Sequence, residues 1–421
     1  MARFDRPGPT VSLEDARAQL LGALHRLTPE ATPLDRALGA VLAERVIAGE
    51  DLPPFANAAK DGYAVRAGDA GQAPCSLRMV GRIAAGHAAG APLEAGQAMA
   101  IATGAPLSPG ADSVCMVEHA VLKGDEVVLE EGVRIGQHVR HAGEDVTRGS
   151  LVFDAGTELR PAHIGVLAGL GVQEVTVYPR ARVGVLSTGD ELHSGPEPLG
   201  NGQIRDSNRH MLLALVRAAG CDPIDLGVVG DDEICIAAAI EGALSACNAV
   251  ITSGGVSVGV ADNMKTVLGR LSGGPVRWME VAIQPAKPFG FATIGGEEIP
   301  VLCVPGNPVS ALVSFELLAR GALRFMMGHS VLDRPRWHAT AEEPLMRRRD
   351  GKIHLVRVLA SVSSGGLLVR AIPGQESHQL RSTALANALA ILPDGGGVDA
   401  GAIVSVLLLE PDAVPFVEGR R

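Results

Sequence analysis

Residues Ala249–Leu271 read AVITSGGVSVGVADNMKTVLGRL, and the reading of this stretch decides the fold. It opens on a short β-branched run, Val250-Ile251-Thr252, of the kind that forms a buried strand. The run breaks into Ser253-Gly254-Gly255 and Val256-Ser257-Val258-Gly259, rich in glycine and hydroxyl side chains. Glycine has no Cβ, so the backbone N–H groups of such a loop can approach an anion closely. Asp262 comes next, and then Met264, Val267, Leu268 and Leu271 at helical spacing. A strand, a glycine loop and a helix in succession place an anion at a helix N-terminus. The same pattern also serves as a plain turn in any α/β protein.

The same texture extends outward from this stretch. Toward the N-terminus, Arg182–Ser187 reads as a strand, Asn208–Ala219 as a helix closed by Gly220, and Pro223–Val229 as a second strand. Glu233–Ala246 reads as a helix capped by Asp231 or Asp232. Toward the C-terminus, Pro300–Val304 reads as a strand and Pro308–Met327 as a long apolar helix with Asn307 as N-cap and Pro308 at its first position. This alternation predicts a doubly wound, mainly parallel sheet with helices on both faces, whose ligands bind beyond the strands' carboxyl ends.

The flanks differ. Ser12–Leu27 and Leu34–Ala43 read as helices, and Leu159–Leu170 as a third, opened by Pro161. Between them, Ser76–Ile83, Gln97–Thr103, Ser113–Val117 and Val127–Leu129 are short β-prone runs broken by Gly and Pro, the pattern of a small β-rich lobe. Beyond Arg336, the runs His338–Glu342, Ile353–Leu359, Leu367–Arg370, Leu389–Leu392 and Ile403–Leu409 predict a terminal β-barrel or sandwich.

Composition narrows the function. An apolar fraction of 47% supplies several cores, while 3% aromatics leave few platforms for stacking bases. A net charge of −10 argues against a nucleic-acid or acidic-membrane surface. The six cysteines form no CxxC pair and sit mostly in apolar runs, as small buried hydrophobes do. No run is long and apolar enough to span a bilayer, and no apolar leader opens the chain, which points to a cytoplasmic protein.

The polar candidates of the α/β region each come after a strand. Asp190 and Glu191 come after Arg182–Ser187, Asp231 and Asp232 after Val229, Asp262 after the glycine loop, and Asn307 after Val304. Lys287 lies in Gln284-Pro-Ala-Lys287-Pro288, where two prolines stiffen the backbone around it. Glycine N–H groups and a lysine suit phosphate oxygens, and carboxylates on the same rim suit Mg²⁺. Helix capping is the competing role for Asp190, Asp231 and Asp232.

The motifs PPFANAAKDGYAVR (53–66), IATGAPL (101–107), HAGEDV (141–146), STGDEL (187–192), GQIRDSN (202–208), SGGVSVGVADNMK (253–265), AIQPAKPF (282–289), VPGNPVSA (304–311) and GQESHQLRS (374–382) run in order over almost the whole chain. Together they resemble the MoeA-like molybdopterin molybdenumtransferase family, shared with the C-terminal domain of the synaptic protein gephyrin. The resemblance implies a discontinuous helical elongated domain (1–50 and 145–178) and a β-rich lobe (51–144). It further implies a MoaB/Mog-like α/β domain binding molybdopterin (179–330) and a C-terminal β-barrel (331–421). It also implies a homodimer whose cleft joins the α/β domain of one subunit to the lobe of the other.

The implied reaction takes adenylylated molybdopterin and molybdate, releases AMP and leaves molybdenum on the dithiolene. By that resemblance Ser253, Gly254, Gly255 and Ser257 hold phosphate, with Asp190, Asp206 and Asn307 also at the cofactor site. Glu191 and Asp262 match Mg²⁺ positions. Gln284, Lys287, Pro288, Arg357 and Ser377 surround the molybdate, and Asp61, Thr103, Asp145 and Asp231 match positions tied to activity. A molybdopterin adenylyltransferase and recipient molybdoenzymes are the implied partners. Two alternatives compete: a molybdopterin adenylyltransferase, and a scaffold that binds molybdopterin with weak catalysis.

This sequence departs from the family pattern at Ala56, Ala58, Lys60, Val260, Gln284, Ala286 and Glu376. Gln284 stands where the pattern has lysine and Glu376 where it has glycine, so the oxyanion site loses a positive charge and gains a negative one. At ~4 Å and a protein-like dielectric, one such charge is worth a few kcal/mol. Molybdate is therefore expected to bind this chain more weakly than its Gln284→Lys, Glu376→Gly double variant. Titration of both proteins with molybdate measures the difference, and equal affinities would remove the argument.

Overall fold

Alternation along the strands fixes the central architecture. Val183 and Val185 of the strand Arg182–Thr188 are buried with Leu212 and Val216 of the helix Asn208–Ala218. Leu186 points the other way, toward Ile236 and Ile240 of the helix Glu233–Ala243. Ile251 and Val250 split between the same two cores, as do Leu302 and Val301. A period of two carries successive side chains to opposite faces, so an apolar strand needs helices on both. The computed structural model describes residues 10–255, 263–272, 274–296 and 298–417.

In that structure the central sheet has seven strands among the described residues, in the order Thr10–Val11, Arg277–Val281, Pro288–Ile294, Ile299–Val304, Ala249–Ser253, Arg182–Thr188, Asp222–Val229. Four of its pairings are parallel and two antiparallel. The antiparallel strands Arg277–Val281 and Pro288–Ile294 were not expected. Pro288 and Gly290 mask the alternation in the second of them, and Gly290 is required because a Cβ there would fall 2.1 Å from the Trp278 ring. Helix Asn263–Leu271 buries Met264, Val267 and Leu268 as its spacing predicts.

The chain divides into two compact units: Met1–Glu30, Gly39–Val41 and Tyr178–Arg421 in one, and Ala31–Leu38 with Leu42–Val177 in the other. The first helix differs from expectation. Leu13–Leu21, capped by Ser12 through Asp15 N–H, lays Leu13, Ala16 and Leu20 onto the central sheet's core rather than opening a separate helical piece. Leu34–Ala43 is not a helix either. A 3₁₀ turn at Leu34–Arg36 ends before Gly39, whose φ of +80° no helix accommodates, and Val41–Leu42 is extended. Within the span 145–178 there is one helix, Pro161–Gly169, beside the short strands Leu151–Phe153 and Glu174–Tyr178.

The second unit holds a six-stranded sheet ordered Ala120–Lys123, Glu126–Leu129, Cys75–Ile83, Gln97–Ile101, Gly62–Val65, Ser113–Met116. Gly62, which opens the strand Gly62–Val65, has a steric reason to be glycine, since a Cβ on it would fall 1.9 Å from the Cys115 carbonyl oxygen. In the first unit, Arg336–Ala341, Ile353–Ser363, Gly366–Ala371, Ala388–Leu392 and Ile403–Leu408 close into a barrel through the pairing of Ile353–Ser363 with Ala388–Leu392. No disulfide joins the six cysteines; burial pushes the Cys221 thiol up to about 12, as suits an inert hydrophobe.

The long apolar helix forms with a local change of pitch. Pro308–Ser314 is α-helical, Phe315–Ala319 is a π-helical turn, and Arg320–Met326 is α-helical again. The wider turn frees the Leu317 carbonyl to accept from Arg17 Nε at 2.8 Å. It also aims the buried Glu316 at Arg334, whose Nε and Nη2 donate to it at 2.6 and 3.0 Å. Glu316→Ala is expected to destabilise this unit by about 3 kcal/mol, because it strands a partly buried guanidinium. Pairing Glu316→Leu with Arg334→Met recovers most of that loss. Both tryptophans, Trp278 and Trp337, lie in this unit, so their fluorescence in a denaturant titration reads its unfolding selectively.

Candidate functional site

Three parallel strands end together, and the loops beyond them define the site. Arg182–Thr188 runs beside Ala249–Ser253 with Ser187 opposite Ser253, and Ser253 lies opposite Val304 on the other side. Two of the three chain exits are clasped by one side chain. Asn208 Nδ2 donates to Ser253 Oγ at 2.8 Å and to the Gly306 carbonyl at 2.7 Å. Gly254 turns back with φ +99°, and its N–H reaches the Val304 carbonyl at 3.3 Å. A Cβ on Gly254 would fall 2.5 Å from the Thr188 carbonyl oxygen, so the crossing requires glycine.

A cavity of about 250 Å³ opens over this crossing. Its floor is Ser187, Thr188, Ser253, Gly254 and Gly306; its walls include Glu191, Arg205, Asp206, Asn208, Asn307, Pro308 and His378. The Thr188 hydroxyl and Asn208 Oδ1 are buried and have no partner among the described residues. The Asn307 side chain, at the N-cap position of Pro308–Ser314, caps nothing.

Beneath one wall lies an ionic support. Asp206 accepts from Ser187 Oγ at 3.1 Å and from Arg209 Nε at 2.8 Å, both groups being nearly buried. Arg209 also pairs with Asp225 on the neighbouring strand and reaches Ser194 Oγ at 3.3 Å. Buried carboxylate and guanidinium offset each other's desolvation only when every lone pair and hydrogen is used, which this network approaches. Asp206 therefore works by fixing the start of helix Asn208–Ala218.

Of the residues named from sequence, Glu191, Asp206, Ser253, Gly254 and Asn307 line the cavity. Ser257 and Asp262 lie outside the described residues. Asp190 and Asp231 meet nearby, with Asp231 N–H donating to Asp190 Oδ1 at 3.0 Å, and Asp232 caps its helix through Cys235 N–H at 2.8 Å. Gly255 continues the turn with φ +67°. Lys287, Gln284 and Pro288 do not line this cavity. Lys287 pairs with Glu280 at 2.8 Å, Gln284 is exposed opposite His354 on the barrel, and Pro288 starts a sheet strand.

Arg357, expected to face an oxyanion, is 1% exposed and donates to carbonyls of the loop 374–379. Burial lowers its pKa. The Ser377 carbonyl accepts from Val309 N–H at 3.1 Å. Arg205, Thr188, Asn208 and His378 are cavity residues that the sequence reading passed over. All four sit inside motifs quoted for the resemblance, which was the available signal.

In the second unit, Asp61 and Thr103 form their own pair. Asp61 Oδ1 accepts from the Thr103 N–H at 2.7 Å and from its hydroxyl at 2.9 Å. Asp145 is exposed, its N–H spent on the Leu52 carbonyl.

Comparison with known proteins agrees with the architecture. Residues 11–171 match the MoeA N-terminal region (domain I and II), 184–324 a probable molybdopterin binding domain, and 344–409 the MoeA C-terminal region (domain IV). The chain is similar to a molybdopterin molybdenumtransferase of Haemophilus influenzae, 35% identical over 94% of this chain and 98% of that one. It is similar also to molybdopterin molybdenumtransferase 2 of Mycobacterium tuberculosis, 38% identical over 91% and 95%. A solved molybdopterin biosynthesis MoeA protein from Pyrococcus horikoshii superposes with a TM-score of 0.78 at 30% identity, covering 95% of this chain and 100% of that chain.

The two Thr103 hydrogen bonds, the backbone one first, hold the Asp61 carboxyl below its ordinary range. Their stabilising contribution is complete above the ordinary carboxylate pKa and is lost as pH falls through the lowered one. Thr103→Val removes the hydroxyl bond alone. The Asp61 pKa is expected to rise while staying below the usual range, read by carboxyl-carbon NMR titration; an unchanged value would show the hydroxyl bond is idle.

Proposed function

This chain belongs to the MoeA family, and on that premise we propose that it inserts molybdate into molybdopterin, with the cavity over Gly254 as the seat of the pterin's phosphate. The observation that carries the reading is the pair of unpartnered polar atoms at that cavity. The Thr188 hydroxyl has a proton to give, and Asn208 Oδ1 can take one. A ligand with both phosphate oxygens and ring N–H groups, as a pterin phosphate has, satisfies both at once.

The substrate in this reading is adenylylated molybdopterin. Its phosphoanhydride is cleaved, AMP leaves, and the dithiolene sulfurs receive molybdenum from molybdate. The residues on the cavity floor bind and orient rather than react. The Gly254 turn presents backbone to the phosphate without a side chain between, His378 supplies a ring nitrogen on a wall, and Arg205 adds positive charge there while its guanidinium donates to the Gly195, Pro196 and Glu197 carbonyls.

Magnesium fits the donor set in a limited way. No group of three His, Cys, Asp or Glu gathers among the described residues, so no all-protein cage is present there. Glu191 stands exposed on the cavity wall with no hydrogen bond or ion pair from its carboxylate among those residues. Mg²⁺ takes one or two carboxylates and completes its shell with phosphate oxygens and water, so Glu191 would hold it beside the substrate. When bound, the ion would neutralise charge on the phosphoryl oxygens.

The reading extends to a homodimer working in the cytoplasm, supplied by a molybdopterin adenylyltransferase and delivering to molybdoenzymes. No helix of the described residues is long and apolar enough to cross a membrane.

The decisive assay mixes the purified chain with adenylylated molybdopterin, Mg²⁺ and molybdate and tracks AMP and completed cofactor. Molybdate-dependent AMP release supports the proposal. Adenylylation of molybdopterin from ATP, or binding without turnover, replaces it with the adenylyltransferase or the scaffold. Gly254→Ala sets a Cβ 2.5 Å from the Thr188 carbonyl oxygen. It is expected to reduce molybdopterin affinity at least about tenfold, roughly 1.4 kcal/mol; undiminished binding would move the phosphate seat elsewhere.

A further inference from the structure

The cavity has a wall that the α/β sheet does not supply. His378 belongs to the barrel segment Gly374–Leu380, yet it lines the cavity beside Asn307 and Pro308 and is itself exposed to solvent. Two observations show how it comes to be there. The neighbouring Ser377 carbonyl accepts from Val309 N–H at 3.1 Å, docking the segment on the start of helix Pro308–Ser314. Behind the segment lies Arg357, which has no carboxylate within ion-pair distance among the described residues and spends its guanidinium on the chain that carries His378. Nη2 donates to the carbonyls of Gly374 at 2.9 Å and Glu376 at 3.2 Å; Nη1 donates to Thr383 Oγ1 at 3.0 Å and the Gln379 carbonyl at 3.4 Å.

A guanidinium buried to 1% exposure cannot meet a solution anion without opening this loop. Its geometry is that of a strut. Four acceptors at fixed positions in a planar fork specify one loop conformation, and that conformation carries an imidazole over a cavity whose floor is glycine, serine and threonine.

We infer that His378 is a substrate-contacting residue delivered by the barrel to the pterin's phosphate, and that Arg357 is a positioning residue acting through the loop 374–379. The inference rests on the cavity's being the pterin phosphate site. It makes the barrel a working part of that site. It also assigns Arg357 a role different from direct oxyanion binding.

The test measures dissociation constants of the full chain for molybdopterin and for its dephosphorylated form. His378→Ala is expected to weaken molybdopterin about tenfold and to leave the dephosphorylated pterin unchanged, since only the phosphate loses a partner. Arg357→Lys, which cannot fill the planar fork, is expected to weaken molybdopterin comparably. The Arg357→Lys, His378→Ala double variant should bind no worse than either single one, because both act through the same contact. Should Arg357→Lys fail to fold, Thr383→Ala, which removes one of the four bonds, carries the same arm. Unchanged binding in His378→Ala, or losses that multiply in the double variant, would overturn the inference and leave the pterin site standing. A wild-type chain that binds neither pterin would overturn the site itself.

Discussion

One side-chain amide holds the site together. Both hydrogens of Asn208 Nδ2 are spent, one on Ser253 Oγ and the other on the Gly306 carbonyl. Asn208 begins a helix, Ser253 ends one strand, and Gly306 lies just past the end of another, so a single planar group ties two strand exits to the start of a helix. The sheet alone could not do this. Backbone pairing sets strands about 4.8 Å apart but leaves the loops beyond their ends free. Only because those ends are clasped does the Gly254 turn pass against Thr188 closely enough that no side chain fits. The close backbone approach at Gly254 is thus a consequence of packing at the strand ends.

The Asn208 clasp depends in turn on the ionic network below it. Asp206 is two residues before Asn208, and Arg209 is the next residue after it. Their nearly buried pair, joined by Ser187 Oγ and by Asp225, sets the angle at which the helix leaves the strand ends. Each guanidinium nitrogen of Arg209 and each carboxylate oxygen of Asp206 has a partner, which helps make a buried pair tolerable. Such a network specifies a conformation more than it adds stability. That suits a part whose task is to aim one amide.

How legible these parts were in the sequence depends on the physics of each. Apolar alternation at Val183–Leu186 and Val250–Ile251 is a local signal, and the strands and flanking helices it predicts are present. A tight turn at Gly254 was legible too, because glycine after a strand marks a close backbone crossing, though the pattern alone did not separate an anion site from a plain turn. The antiparallel pair Arg277–Val281 and Pro288–Ile294 was not, since Pro288 and Gly290 suggest a loop in the second and only its pairing with both neighbours makes it a strand. The N-terminal helix starts behind its Ser12 cap as expected, but it ends at Leu21 rather than Leu27, and its place in space was not legible. Its apolar stripe says that it packs, whereas the choice of the central sheet as partner is tertiary. Among site residues, short carboxylates and glycines announce themselves by position after strands. Asn208, Thr188 and His378 do not, because an amide, a hydroxyl or an imidazole matters here only through its neighbours in the folded chain. Motif order across the chain carried the rest.

Arg357 shows how far the barrel is committed to the same end. Removing a guanidinium from water is costly, and a carboxylate is the usual compensation. Here the compensation comes from carbonyl dipoles of one loop and a threonine hydroxyl, with Nε left without a partner among the described residues. Burial accordingly pulls its pKa down. A neutral apolar side chain at this position would pack a barrel interior at lower cost. It could not, however, hold the Gly374, Glu376 and Gln379 carbonyls pointing at one centre. The loop so held turns its other side to the start of helix Pro308–Ser314, where Ser377 and Val309 bond, and so to the cavity. A cation kept buried at that expense is explained by the precision it imposes on the loop, not by the stability of the barrel.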